Sequence, residues 1–167
     1  MKLYHYAPSK NTILTDGLLS VSRLPSELKK YADRARSINL DRIKSWLNET
    51  FPGRDRAISV LTEPVRWKGC DPMLKRWLDK KILISIDLDK LMQDGLVESV
   101  WCKEKSDKNG QNEIFKKITA NQIDSSPLSW KECSAEKGLF FGVIRHYFLV
   151  LKKGIIPPAY LTMEGNK

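Results

Sequence analysis

The chain has 167 residues, of which 41% are hydrophobic and 29% charged, with a formal net charge of +9. Such a composition and length predict one globular domain, 1–167, with a core of its own, and exclude collagen-like, coiled-coil and wholly disordered readings. The excess of cations favours an anionic partner such as a nucleotide, a nucleic acid or an acidic surface, without choosing among them.

The first element is a short strand, Leu3 to Ala7, ended by Pro8. Alternation sets Tyr4 and Tyr6 on one side of it and His5 on the other. Ser9 is a suitable cap for a brief helix through Asp16, and Gly17 a suitable residue to end it, before Leu18 and Leu19. Residues 22–51 read as mainly helical, with Pro52-Gly53 as the stop. Ala57 to Leu61 is a compact apolar strand that runs into Thr62, Glu63 and Pro64. Asp71-Pro72 opens a further helix. Ile82 to Leu88 is the strongest strand pattern in the chain, and Val97 to Cys102 is another.

Ser106 to Gly110 is a turn cluster, and Glu113 to Ile118 reads as a strand leaving it. Residues 124–134 read as loop. The apolar positions 139, 140, 143, 144, 147, 148 and 151 have helical spacing, with Lys152, Lys153 and Gly154 as a C-terminus. The tail from Gly154 to Leu161 reads as an extended segment packed on the body. Strands interrupted irregularly by helices give an α+β class. No phosphate-cradling glycine loop of dinucleotide-binding or P-loop type is present.

Cys70, Cys102 and Cys133 are widely spaced and odd in number, which fits neither a zinc ribbon, a redox pair nor a disulfide framework. Reduced thiols, no apolar leader after MKLYHYAPSK and no bilayer-length apolar run predict a soluble, cytoplasmic monomer without membrane contact. Export by a route that uses no leader stays open.

Three groups of residues could carry chemistry. His5 offers one ring donor and one ring acceptor, suited to a ribose hydroxyl or an amide, or to plain packing within a sheet. Gln111 and Glu113, two apart at the start of a strand, share a side of it and pair an orienting amide with a carboxylate. Ser59 and Thr62 bring hydroxyls to the middle strand and its end. Arg23, Arg54, Arg56 and Arg66 are candidates for a nucleotide pyrophosphate or a nucleic-acid target, since guanidinium pairs bidentately with phosphate.

In the order and kind of these segments, residues 3–123 resemble the ADP-ribosyltransferases, in the branch that carries a histidine in its first strand. LYHYAPSKNTILTDGLL resembles that family's opening. AISVLTEP followed by DPMLKRWLDK is similar to its middle strand and helix, ILISIDL to its next apolar strand, and GQNEIFKKI to the late strand that a catalytic glutamate begins. The resemblance implies two small packed sheets, an inserted helical region and, with the run from Leu139, a C-terminal helix. It also implies NAD as co-substrate and a protein or nucleic-acid acceptor. By position it assigns the nicotinamide ribose to His5 and the transition-state carboxylate to Glu113. Gln111 would face the acceptor, with Tyr6, Ser59, Thr62 and Arg23 as further cofactor contacts. Tyr6 stands where many relatives have glycine, and the middle strand has no tyrosine.

Two other readings use the same residues. A metal-independent nuclease would take His5 and His146 as acid and base. A non-catalytic basic module would bind an acidic protein or a nucleic acid, and the apolar stripe from Leu139 to Leu151 would serve it as well as it serves a core. A cysteine nucleophile at Cys102, beside Lys103 and Lys105, lacks a positioned base.

Overall fold

The computed structural model describes residues 1–8, 13–23, 50–65, 76, 79–104, 114–126 and 146–165. The described residues form a seven-stranded antiparallel sheet and a two-stranded one. In chain order the strands are β1 (Lys2–Pro8), β2 (Leu18–Leu19), β3 (Ala57–Leu61), β4 (Lys81–Asp87), β5 (Val97–Glu104), β6 (Ile114–Ile118), β7 (His146–Leu151), β8 (Ile155–Ile156) and β9 (Leu161–Met163). Two short α-helices, α1 (Ile13–Asp16) and α2 (Leu88–Gln93), and four 3-10 turns complete the described elements. The large sheet has the order β6-β5-β7-β3-β1-β4-β9, and the small one pairs β2 with β8.

Local chemistry explains most of these boundaries. β3 and β4 are runs of β-branched and aliphatic residues, which fit a pleated surface buried on both sides. Asp87 ends β4 and caps α2, its carboxylate accepting from the backbone N–H of Lys90 at 3.1 Å. Gly17, at φ +81°, ends α1 and turns the chain into β2.

The sheet buries both faces. Leu3, Ala7, Ile58, Val60, Ile84, Ile86, Tyr147 and Leu149 pack on one side against Ile13, Leu18, Leu88, Leu91 and Ile156. The other side carries a smaller cluster of Phe51, Ala57, Phe148 and Val150, joined by half-buried Trp101 and Phe115. Each fully buried aliphatic or aromatic side chain stabilises the fold by about 1.5–3 kcal/mol.

Several expectations are corrected. The helix expected over 139–151 is a strand where it is described: His146–Leu151 is β7, the third strand of the sheet. Its residues from Tyr147 to Leu151 are all buried, because neighbours cover both faces. A run buried on both sides satisfies helical and strand spacing alike. Residues 139–145 lie outside the described set, as do 24–49 of the helical region expected over 22–51, and 71–75, 77 and 78 of the helix expected from Asp71-Pro72. The two sheets are unequal, seven strands against two, where two small sheets were expected. The tail is more than a packed extended segment, since β8 pairs with β2 and β9 joins β4 at the sheet edge. Helix α2 is an element that the sequence reading did not separate from the strand before it. Among the described residues, no helix is long and apolar enough to cross a membrane.

Candidate functional site

β1 is an interior strand of the sheet, so His5 is flanked by β3 and β4. Along β4 its pairing is continuous, from Lys2–Asp87 to Pro8–Lys81. Along β3 the registered pairing is confined to Tyr4–Leu61. Beyond that pair β1 stays with β4 and β3 stays with β7, whose register runs from Leu61–His146 to Ala57–Val150. The sheet therefore splits between β1 and β3 from His5 onward.

His5 sits at the head of this split. Its Nδ1 lies 2.7 Å from the carbonyl oxygen of Ser59. A carbonyl can only accept, so Nδ1 carries the proton and donates. Burial holds the imidazole below its ordinary pKa of 6.5; the Ser59 carbonyl works against that shift, and the charge of Lys81 adds to it. At neutral pH the ring is neutral, and Nε2 keeps a lone pair as an acceptor.

The Tyr6 hydroxyl accepts from the backbone N–H of Val65 at 3.1 Å, which ties β1 to the loop that follows β3. Thr62, in that loop, is buried. Ser59 is half-buried on β3, opposite Phe148. At the far end of the two strands Pro8 faces Lys81 on β4, and the 3-10 turn Arg54–Arg56 leads into Ala57 on β3. Desolvation lowers the pKa of Lys81.

Arg23 belongs to that end of the sheet. Its Nε donates to the carbonyl of Lys153 at 2.7 Å, and its 3-10 turn, Val21–Arg23, packs on Arg54–Arg56. Arg56 pairs with Glu98 and also donates to the carbonyl of Leu151 at 3.2 Å. Arg54 lies with its guanidinium 4.6 Å from the centroid of the Phe148 ring. Arg66 lies outside the described residues.

Gln111 and Glu113 also lie outside them. The strand that follows, β6, is at the edge of the sheet, with β5, β7 and β3 between it and β1. Four strand spacings put Ile114 about 19 Å across the sheet from the β1 column. The strand next to β3 on the far side from β1 is instead β7.

His146 opens β7 opposite Leu61, which is itself opposite Tyr4. The fold thus brings the two histidine-bearing strands within two spacings, a proximity that the helical reading of 139–151 hid. That row is offset by one residue from His5, however. Cys102 is a half-buried thiol on β5. Among the described residues, no group of three or more His, Cys, Asp or Glu side chains is placed to hold a metal ion.

The sequence reading did not foresee the Ser59 carbonyl as the partner of His5, nor Lys81 as its charged neighbour. Neither had a local signal, because both contacts join strands more than 50 residues apart. Comparison with family models, with characterised proteins and with solved structures finds no match.

Proposed function

We propose that this chain is an NAD-dependent ADP-ribosyltransferase that releases nicotinamide and modifies a macromolecule. One observation carries the reading: the His5–Ser59 contact at the point where β1 and β3 part. Three segments of the resemblance, the histidine strand, the strand ending in hydroxyls and the apolar strand, are the neighbours β1, β3 and β4. That adjacency supports the reading without depending on their spacing in sequence.

The chemistry follows from the groups. Nδ1 of His5 is committed to Ser59, so Nε2 is the acceptor for a ribose hydroxyl. Tyr6 fixes the loop after β3, where Thr62 lies beyond the Tyr4–Leu61 pair, and Lys81 and Arg23 bring positive charge to the other end of β1 and β3, where Pro8 and Ala57 lie. The C1′–N bond of the nicotinamide riboside breaks, and nicotinamide leaves with the electron pair. Positive charge develops on the ribose, where a preorganised carboxylate is most effective. The acceptor nucleophile then bonds to C1′ and loses its proton.

Two carboxylates compete for that role. The resemblance assigns Glu113, with Gln111 facing the acceptor. The fold puts Glu63 on the loop directly after Thr62, while the strand that Glu113 precedes is at the sheet edge. Nicotinamide release from NAD, with and without cell lysate, tests the reading in wild type and in folded Glu113→Gln, Glu63→Gln and His5→Ala variants. Release that falls at least a hundredfold in His5→Ala and in one of the two glutamate variants supports it and names the carboxylate. No release by wild type in either condition, with no rise in melting temperature on adding NAD, overturns it.

The nuclease reading gains the adjacency of β1, β3 and β7, but position 146 lies on the row of Tyr4 rather than that of His5. The Ser59 carbonyl also occupies one nitrogen of the proposed acid–base pair.

A further inference from the structure

The side of the large sheet that carries the aromatic cluster has a second feature. The register aligns Ser59, Phe148, Trp101 and Lys117 in one row across β3, β7, β5 and β6. Three strand spacings make this row about 14 Å long. Phe148 and Trp101 both pack against Phe51, and Trp101 remains half-buried, its indole N–H donating to Ser99 Oγ at 3.0 Å. Lys117 is exposed at the outer end of the row, and Arg54 lies on the Phe148 ring.

The cations extend beyond the row. Lys152, exposed after β7, and Lys117 both act on the carboxylate of Glu98, together with its ion-pair partner Arg56. Arg23 is anchored on the same turn through the Lys153 carbonyl. Around one glutamate the surface therefore gathers several positive charges, next to a half-buried indole.

We infer that this surface, with Trp101 at its centre and Lys117, Arg54, Lys152 and Arg23 around it, binds single-stranded nucleic acid. The cations would follow the phosphates and Trp101 would stack a base. Stacking on an aromatic ring requires an unpaired base, which selects a single strand over a duplex. An acidic protein would use the charges but not the indole. The inner end of the row is Ser59, whose carbonyl holds His5, so a bound strand would run toward the split in the sheet. The inference concerns binding alone, and its test uses no NAD.

The test is fluorescence anisotropy of labelled 20-nucleotide single-stranded DNA and RNA, a DNA duplex and polyglutamate, over a salt series, with the wild-type chain. Intrinsic tryptophan quenching is followed in parallel in wild type and in Trp101→Phe, which retains a ring against Phe51. A folded Lys117→Glu/Lys152→Glu variant is the charge test. The expected result is salt-dependent binding of a single strand in preference to duplex and polyglutamate, with quenching that Trp101→Phe removes. Affinity should fall about tenfold or more in the charge-reversed variant, since phosphate contacts supply much of it. Absence of single-strand binding overturns the inference. So does equal binding of duplex or polyglutamate without quenching, which is polyanion attraction, or unchanged affinity in the charge-reversed variant.

Discussion

The imidazole of His5 and the carbonyl of Ser59 meet across two interior strands of the sheet, at 2.7 Å, one residue beyond the Tyr4–Leu61 pair where β1 and β3 last share a ladder. A side chain of one strand thus bonds the backbone of the other where regular pairing stops. That contact fixes the tautomer of His5 and leaves Nε2 as an acceptor.

The half-buried, neutral His5 makes stability depend on pH. Its folded pKa is below 6.5, so the unfolded chain binds more protons as pH falls through 6.5. The contribution from His5 is full above pH 6.5 and is lost on acidification toward the folded pKa. Urea midpoints measured between pH 5 and 8 should fall on the acid side in wild type and change less in His5→Gln. An equal slope in both would refute the assignment.

Tyr6→Phe removes the hydroxyl that accepts from the Val65 N–H and leaves that donor without it. A lost bond of this kind costs about 1–2 kcal/mol. Urea unfolding should show that loss with an unchanged slope. If nicotinamide release is observed for wild type, the variant reports whether fixing the loop after β3 matters for it.

Gly17→Ala should be strongly destabilising. The residue has φ +81°, and an added Cβ would run into the carbonyl oxygen of Ile156 on β8. The left-handed backbone alone costs about 1 kcal/mol, and the collision with rigid backbone adds to it. A melting temperature within a degree or two of wild type would show that β2 and β8 can move apart at little cost.

The Arg56–Glu98 ion pair is half exposed, at 32% and 46% of the side-chain surface, so it should contribute little. Glu98→Gln is expected to cost no more than about 1 kcal/mol, with the difference shrinking in high salt. The same change should strengthen oligonucleotide binding, since it removes the carboxylate among the cations Arg56, Lys117 and Lys152.

Phe148→Ala tests the smaller core. Phe148 contacts the rings of Phe51 and Phe115 and lies beneath Arg54. Truncation should cost about 3–5 kcal/mol, seen as a large drop in the denaturant midpoint.

Local chemistry decides much of this protein. The strands at β1, β3, β4, β5 and β6, and the stops at Gly17 and Gly53, follow from β-branched runs and left-handed glycines that act within a few residues. Only the tertiary structure decided which strands meet. The order β6-β5-β7-β3-β1-β4-β9 joins segments far apart in the chain, and no short-range pattern records such pairing. That order puts His5 on an interior strand of the sheet, gives it Ser59 as partner, and sends the strand after Glu113 to the edge. It also makes the run His146–Leu151 a strand, because burial on both faces erased the alternation that would have distinguished it from a helix.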